Sequence, residues 1–366
     1  MKIAYINLHW PRTKASSIGK KIERQIRTWR KNGHEVRFFS HMHRVSNSDP
    51  LIEGDRFVYR VISGFGGRLR TEVNRIRAVI PLIQSAADYK PDIIYLRWAM
   101  YVYPIQQLAE VAPYILEINT NDVLEHNRLG PVLNAYNQLT RGISLGHSSG
   151  LIFTTDELSE LRVFTRFNKP FRVIPNNIDL FATPFHSAPN NTVPRLLFIG
   201  TPGLEWQGVD KLFQFAEDYP DIRVDIVGYD EIAGKRGLPS NLILHGYLED
   251  EEFEKILTQA DAAIGTMALH RKGMEEAAPL KVRDCLARGI PCILPYTDSD
   301  FKNVEIETIL KIPNSPDNLL KYGEKIHEFI YRMRGQRVSR EFVGRFIDSS
   351  QEEGERLAFF KKILST

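Results

Sequence analysis

The chain has 366 residues, which is more than one ordinary hydrophobic core holds, and this length predicts two domains. With 43% hydrophobic and 25% charged residues, the composition excludes an intrinsically disordered protein, and no apolar run reaches the roughly 20 residues of a membrane-spanning helix. The net charge is +3, but residues 1–185 carry 25 Lys and Arg against 16 Asp and Glu, whereas the remainder carries 23 against 29. The basic first half indicates an anionic partner, such as a membrane surface, a phosphate-bearing lipid or a nucleic acid, or else a solvated basic surface.

The start of the chain, MKIAYINLHW, predicts a first strand that runs into a Trp-Pro loop. It does not have the small-residue cleavage site of a signal peptide. Cys285 and Cys292 are the only cysteines and form no CxxC pair, so neither a disulfide framework nor a zinc cluster is expected. These features favour a cytoplasmic location.

Short β-branched runs alternate with helical patterns along the chain, which is typical of parallel sheets covered by helices. The predicted strands are 2–8, 35–40, 92–97, 114–119 and 150–155 in the first half, and 195–200, 223–228, 241–246, 261–266 and 290–296 in the second. Between the two sets, IPNNIDLFATPFHSAPNNTVP has no periodicity and predicts a linker. We expect two doubly wound domains, residues 1–187 and 188–348, followed by an amphipathic helix over residues 349–366.

The first helix, IGKKIERQIRTWRKNG, has an apolar stripe that predicts a buried face. A second stripe at helical spacing is entirely basic and consists of Lys20, Arg24, Arg27 and Lys31. Another basic patch interleaved with apolar residues contains Arg68, Arg70, Arg75 and Arg77. We expect the basic stripe to face an anionic membrane, although helix faces in contact with water are commonly charged as well.

Several common catalytic motifs are missing from the sequence. SGFGGRL has glycines without the strand-turn-helix context of a dinucleotide site, and IGTPG lacks the third glycine. No P-loop or HExxH motif is present. The triplet Asp298-Ser299-Asp300 resembles a metal-binding DxD motif, but Asp and Ser are also residues that a turn favours. We interpret the triplet as a turn and expect no catalytic metal.

The stretch EEAAPLKVRD places an acid, a base and an acid at the start of a predicted helix near Pro279. A helix amino terminus offers unpaired N–H groups to a phosphate, and Lys281 adds a positive charge. Glu276 and Asp284 flank this site and can accept hydrogen bonds from hydroxyl groups. The pattern indicates a nucleotide sugar, with the alternative that Glu276 caps the helix and Asp284 faces solvent.

The same stretch resembles the E-x7-E motif of family 4 retaining glycosyltransferases, with Glu276 and Asp284 as the two acids. IPNNID (174–179) resembles the family's interdomain Pro-Asn-Gly-Val-Asp, and FIGTPGLEWQGVDKL (198–212) resembles its strand, loop and Lys-Gly-hydrophobe-Asp element. The resemblance covers nearly the whole chain. It implies the GT-B fold, in which two Rossmann-like domains face each other across a cleft and the last helix returns to the first domain.

The resemblance also implies a donor site. Glu276 and Lys281 would be the catalytic residues, with Glu276 on the sugar hydroxyls and Lys281 on the diphosphate. Asp284 would hold the ribose, and backbone N–H groups from Ala278 to Leu280 would assist. Gly19, in the loop after the first strand, would let the backbone approach the donor closely.

This chain departs from the family at two donor positions. Thr201 and Gln207 stand where many members have an Arg and a Lys, so Lys281 would neutralise more of the negative charge of the diphosphate. The end of the predicted strand 114–119 supplies candidates for acceptor or sugar contacts, namely Asn119, Asn121 and Asp122, with turn formation as the alternative. Arg97, at the end of the predicted strand 92–97, is a further candidate for the same reason.

The resemblance thus implies a retaining hexosyltransferase of polysaccharide biosynthesis that uses a nucleoside-diphosphate sugar and no cofactor. Its acceptor would be a glycan, including one linked to polyprenyl diphosphate. We expect it to lie at the inner face of the membrane and not to bind nucleic acid. The alternatives are a nucleotide-sugar 2-epimerase of the same fold and a non-catalytic protein that binds anions or nucleic acid.

Overall fold

The computed structural model describes residues 1–8, 17–43, 53–64 and 66–365. The predicted Trp-Pro loop therefore lies largely outside the described residues. The chain divides into two compact units, which are described separately below. Unit 1 contains residues 1–174 and 350–366, and unit 2 contains residues 175–349.

Within the described residues, unit 1 is built on a seven-stranded parallel sheet with the order β3-β2-β1-β4-β5-β6-β7. Its strands are β1 (Lys2–Asn7), β2 (Glu35–His43), β3 (Asp55–Tyr59), β4 (Ile93–Arg97), β5 (Tyr114–Ile118), β6 (Gly150–Phe153) and β7 (Phe171–Val173). Its helices are α1 (Ser17–Lys31), α2 (Gly67–Tyr89), α3 (Leu108–Val111), α4 (Asp122–Glu125), α5 (Pro131–His147), α6 (Asp156–Glu160) and α7 (Arg162–Thr165). The central strands are apolar on both faces, because helices cover both sides of a parallel sheet.

Unit 2 contains, in its described residues, a six-stranded parallel sheet with the order β10-β9-β8-β11-β13-β15, and a separate pair β12-β14. Its strands are β8 (Arg195–Ile199), β9 (Arg223–Val227), β10 (Leu242–Leu244), β11 (Ala262–Ile264), β12 (Glu276–Ala277), β13 (Cys292–Leu294), β14 (Thr297–Asp298) and β15 (Ile309–Lys311). Its helices are α8 (Val209–Asp218), α9 (Asp250–Gln259), α10 (Leu280–Ala287), α11 (Asn318–Lys321), α12 (Gly323–Met333) and α13 (Arg340–Ile347). The alternation of strands and helices confirms the predicted α/β class.

The last helix, α14 (Ser349–Leu364), packs on the helices and strands of unit 1. Phe360 lies 5.4 Å from the ring centroids of both Trp29 and Tyr95, and the indole of Trp29 donates a hydrogen bond to Glu353 at 2.6 Å. The carboxyl-terminal segment therefore completes the core of unit 1, although it follows unit 2 in the sequence.

The stretch expected as a linker belongs to unit 2 from residue 175 onward, so the division falls earlier than the boundary we expected at 187. The reason is that this segment is hydrogen-bonded along its length. Ile178 N donates to Ile347 O at 2.9 Å, Asn176 Nδ2 donates to Ala278 O at 2.9 Å, and His186 lies 2.6 Å from Glu254. Hydrogen bonds of its backbone and polar side chains thus hold this segment in place, although its sequence has no periodicity.

No helix in the described part of the chain combines the length and the apolar character needed to cross a bilayer.

Candidate functional site

The amino terminus of α10 lies where the sequence predicts it, directly after Pro279. The N–H groups of Val282 and Arg283 are bound by the Pro279 carbonyl at 3.1 and 3.2 Å. The two preceding helical N–H groups, on Leu280 and Lys281, belong to the set that a helix cannot satisfy internally. Together with the helix dipole, they favour an anion at this end of α10.

Lys281 reaches from α10 to the carboxyl end of β8. Its Nζ donates to the carbonyl of Ile199 at 2.7 Å and lies 4.3 Å from the ring centroid of Phe198. Burial lowers the pKa of Lys281 to about 7, although the nearby Cys285 acts in the opposite direction. Within the described residues, no carboxylate forms an ion pair with Lys281. The described residues therefore hold the ammonium group of Lys281 in position without supplying a counterion.

The loop after β8 is held in place by Gln207. The backbone N–H of Thr201 donates to Gln207 Oε1 at 2.9 Å, and the Tyr229 hydroxyl donates to the Thr201 carbonyl at 3.0 Å. A Cβ atom at Gly200 would lie 2.5 Å from the same Gln207 oxygen, so only glycine fits beside it. Thr201 and Gln207 thus lie at the strand end that Lys281 approaches, where Gln207 has a structural role in shaping the loop.

Glu276 lies on β12, is 6% exposed, and has a carboxylate oxygen 3.8 Å from Lys302 Nζ. Its neighbour Asp300 has a pKa raised to about 6, because burial and the negative charges of Asp298 and Glu276 outweigh the attraction of Arg283. The region around Glu276 is therefore partly desolvated and carries excess negative charge.

The triplet forms the turn that we expected, since Phe301 N donates to Asp298 O at 3.1 Å, and its two carboxylates also form an ion-pair cluster. Asp298 lies on β14, and both of its oxygens accept hydrogen bonds from Arg283 at 2.7 and 2.8 Å. Asp300 also binds Arg283. This pairing was not visible in the sequence, because Arg283 lies on a separate helix. No group of three or more His, Cys, Asp or Glu side chains among the described residues has the arrangement of a metal site.

Asp284 is one helical turn from Lys281, and its carboxylate forms an ion pair with Arg288. Arg288 also lies 3.1 Å from Glu254, which in turn is 2.6 Å from His186. Asp284 is therefore part of a polar chain that joins α10 to α9. Its side chain is 27% exposed, so a ligand can still reach it.

In unit 1, the predicted acceptor residues have different surroundings. Arg97 binds Glu117 at 3.0 Å, and Asn119 Nδ2 donates to the Glu117 carbonyl at 3.0 Å. The amide oxygens of Asn119 and Asn121 are buried, and no donor in the described part of the chain reaches them. These two oxygens at the end of β5 are suited to accept hydrogen bonds from hydroxyl groups.

Asp122 does not share this property and is no longer a candidate for a sugar contact. It is fully buried, and Arg141 binds both of its oxygens at 2.7 and 2.8 Å. Asn137 donates a further hydrogen bond to it at 2.8 Å. The sequence could not show this, because Arg141 lies on α5.

Two predictions for α1 need correction. Gly19 lies inside the helix and is buried, whereas we placed it in the preceding loop. Arg24 is buried, with 7% exposure, so the predicted basic stripe is interrupted, although Lys20, Arg27 and Lys31 are exposed. The physical reason is that α1 contacts both the sheet and α14, which widens its buried face beyond the apolar residues.

Sequence reasoning missed the buried pair Lys21 and Glu117, which are 2% and 0% exposed. Arg356 of α14 lies 4.0 Å from the same carboxylate. Burial alone would raise the pKa of Glu117, but Lys21, Arg97 and Arg356 together hold it well below its usual value. One signal was available, since Glu117 is a charged residue within the otherwise apolar strand YILEI.

No family model matches the chain, and no curated protein matches it. Among solved structures, the chain is similar to sucrose-phosphate synthase from Thermosynechococcus elongatus, with a TM-score of 0.71 and 14% identity over 100% of this chain and 99% of that chain. It is also similar to the lipopolysaccharide outer core galactosyltransferase WaaB, with a TM-score of 0.65 and 12% identity over 99% and 100% of the two chains. A third similar structure is an alpha-glucosyltransferase in complex with UDP and a 13-mer DNA, with a TM-score of 0.63 and 13% identity over 99% of both chains. At these identities the likeness shows the fold, and the predicted GT-B class is confirmed.

Proposed function

We propose that this protein is a retaining glycosyltransferase that moves a hexose from a nucleoside-diphosphate sugar to a hydroxyl group of a glycan, including one linked to polyprenyl diphosphate. The observation that carries the proposal is Lys281, a desolvated cation beside a helix amino terminus and a strand end, with no carboxylate paired to it in the described residues. A site of this kind is completed by an anion from outside the protein.

The diphosphate is the group that this site fits best. Lys281 and the free N–H groups at the start of α10 bind its negative charge, and they stabilise it most when the sugar bond breaks and the diphosphate leaves. Glu276 holds the sugar hydroxyls, and Asp284 holds the ribose through the part of its side chain that remains accessible. Lys281 supplies the positive charge in this scheme, and the scheme has no metal ion.

For a retaining transfer, the acceptor hydroxyl arrives on the face from which the diphosphate departs. The protein's contribution is then the positioning of the two substrates and the electrostatic stabilisation of the leaving group. In this proposal, Asn119 and Asn121 accept hydrogen bonds from substrate hydroxyls through their unpaired amide oxygens.

A thermal-shift screen against nucleoside diphosphates and their sugars tests the donor site. A ligand at 100 times its dissociation constant stabilises the protein by about 2.7 kcal/mol, so one base should produce a clear shift. If no nucleotide shifts the transition, the transferase and epimerase functions are both excluded. The anomeric configuration of the product, read by NMR, tests retention, and conversion of the donor without an acceptor would indicate an epimerase.

Two substitutions separate the assigned roles of the carboxylates. Glu276→Ala should lower the affinity for the nucleotide sugar about tenfold and leave the affinity for the nucleoside diphosphate nearly unchanged, because Glu276 contacts the sugar. Asp284→Asn should lower the affinity for both ligands equally, because both contain the ribose. Calorimetric titration with the two ligands measures this difference, and equal effects of Glu276→Ala on both would remove its assignment.

A further inference from the structure

Five arginines of unit 1 lie on the edge strand β3, just after it or on α2. They are Arg56, Arg60, Arg68, Arg70 and Arg77. All five are exposed. Among the described residues, none of their guanidinium groups forms an ion pair or a side-chain hydrogen bond. We call this surface the β3–α2 face.

The acidic residues of the same region do not neutralise this charge. Asp55 of β3 binds Arg37 of the neighbouring strand at 2.7 Å. Glu72 of α2 binds Arg75 at 2.6 Å. These two carboxylates are thus already paired with other arginines, and among the described residues the five guanidinium groups have no carboxylate partner.

A pocket opens in the middle of the β3–α2 face. Its volume is about 380 Å³, and Arg56, Arg60 and Arg77 line it together with Asn74 and Phe57. Asn74 donates a hydrogen bond to the Arg60 carbonyl at 3.0 Å, which joins α2 to the chain just after β3. Three unpaired guanidinium groups around one pocket of this size suit a phosphate group.

Aliphatic side chains lie exposed among the arginines. Leu69, Val73 and Ile80 of α2 are 73%, 39% and 41% exposed, and Val58 of β3 is 49% exposed. Isolated apolar residues are common on surfaces, but here Leu69 and Val73 lie between arginines of one helix, and Ile80 follows Arg77 by three residues. A surface with both features is typical of helices that lie in the interface of a membrane.

The neighbouring helix α5 extends the apolar part of this surface. Its Tyr136 donates a hydrogen bond to Glu72 of α2 at 3.2 Å, so the two helices touch at this point. Val132 and Leu139, one turn on either side of Tyr136, are 63% and 81% exposed. The exposed residues of α5 that the structure describes, in its first three turns, carry no charge.

We propose that the β3–α2 face binds the surface of a bilayer that contains anionic phospholipid. A headgroup phosphate occupies the arginine pocket, and the aliphatic residues of α2 and α5 enter the boundary of the acyl chains. The aliphatic residues favour a bilayer over a nucleic acid, for which single-strand binding surfaces use aromatic rings as stacking platforms. This assignment places the membrane contact on α2 instead of on the basic stripe predicted for α1.

Vesicle flotation with the full chain tests the proposal. The protein should bind vesicles of phosphatidylcholine with 30% phosphatidylglycerol and should not bind pure phosphatidylcholine. The triple variant Arg56→Glu, Arg60→Glu, Arg77→Glu should lose about 100-fold in affinity, because each basic residue near an anionic surface contributes about fivefold. The matched control is Lys20→Glu, Arg27→Glu, Lys31→Glu, which changes the net charge equally on α1 and should lose less than threefold.

A second variant separates insertion from simple charge attraction. Leu69→Ser with Val73→Ser keeps every charge and should weaken vesicle binding about tenfold at 0.5 M salt, where electrostatic attraction is screened. All variants concern exposed residues, so their thermal transitions should match that of the unchanged protein.

Four results would overturn the proposal: equal losses from the two triple variants, a larger loss from the α1 control, no loss from Leu69→Ser with Val73→Ser, or no vesicle binding at all. Tighter binding to a 20-mer DNA than to the anionic vesicles, abolished by the same β3–α2 triple variant, would also overturn it in favour of a nucleic-acid surface.

Discussion

Each unit contains a lysine with a lowered pKa near the end of a sheet strand, and the two lysines differ in what binds them. In unit 1, Lys21 forms an ion pair with Glu117, and burial lowers its pKa to about 8 in spite of that carboxylate. In unit 2, Lys281 contacts a carbonyl and an aromatic ring, with no carboxylate paired to it among the described residues, and burial lowers its pKa to about 7. The first lysine has its counterion in the protein, whereas in the proposed function the second obtains its counterion from a ligand. A desolvated lysine thus serves structure in one unit and, in the proposed function, binding in the other.

The largest expected effect comes from removing the counterion in unit 1. Glu117→Ala leaves Lys21, Arg97 and Arg356 close together without a carboxylate at their centre, so the free energy of unfolding of unit 1 should fall by about 3–5 kcal/mol. Urea unfolding measures the loss. Glu110→Ala, at an exposed position of α3, is the control and should change stability by less than about 0.5 kcal/mol. Similar values for both variants would show that the buried cluster does not stabilise unit 1.

The second effect concerns Lys281 itself. Lys281→Met removes a charge-assisted contact of about 1.5–3 kcal/mol, so the affinity for the nucleoside diphosphate should fall about 10- to 100-fold. Stability should be kept, because a desolvated charge is replaced by an apolar side chain of similar length. Isothermal titration measures the affinity.

A matched control for Lys281 exists in the same unit. Lys235 lies 4.3 Å from the ring centroid of Phe213, the same distance that separates Lys281 from Phe198, but it is exposed. Lys235→Met should leave nucleotide affinity unchanged. If Lys281→Met lowers stability by several kcal/mol and leaves affinity intact, Lys281 is a structural residue like Lys21.

The smallest effect is a pH dependence of donor binding. A bound diphosphate stabilises the charged form of Lys281 and raises its pKa above the value near 7 of the free protein. Binding therefore takes up a proton at pH values between the free and the bound pKa. Affinity for the nucleotide sugar should be constant below pH 7 and should fall by up to about tenfold per pH unit above it.

Titrations at pH 6.5, 7.5 and 8.5 measure this dependence, and the nucleotide sugar is preferred because its diphosphate does not titrate in this range. The Lys281→Met variant should show a flat profile over the same range. A parallel decline in the variant would assign the pH dependence to another group.

Much of the fold could be predicted from the sequence, because buried parallel strands are continuous apolar runs. All ten predicted strands are present, and α10 begins at the residue after Pro279. The strands that were missed are short or lie at edges, such as β3, β7 and β15, where fewer residues are buried and the apolar pattern is weak. The helix pattern correctly marked the apolar side of α1, but it did not show that α14 covers a further part of that helix.

The site was predicted less completely, because the roles of its charges depend on partners that are distant in the sequence. Asp122 is an acidic residue just after a strand, as a ligand-binding residue often is, but Arg141 and Asn137 already bind its carboxylate. Asp298 and Asp300 have the spacing of a metal motif, but Arg283 binds both. In each case an arginine on a nearby helix determines whether a carboxylate is available to a ligand.

The sequence alone determined the α/β architecture, the two sheets and the position of the helix that carries Lys281, since these depend on apolar periodicity and on local turn chemistry. Only the tertiary structure decided which charged residues are neutralised within the protein. Lys21 meets Glu117 across 96 residues of sequence, and Lys281 meets Ile199 across 82. The energy of a charge depends on its surroundings in space, and the folded chain alone brings those surroundings together.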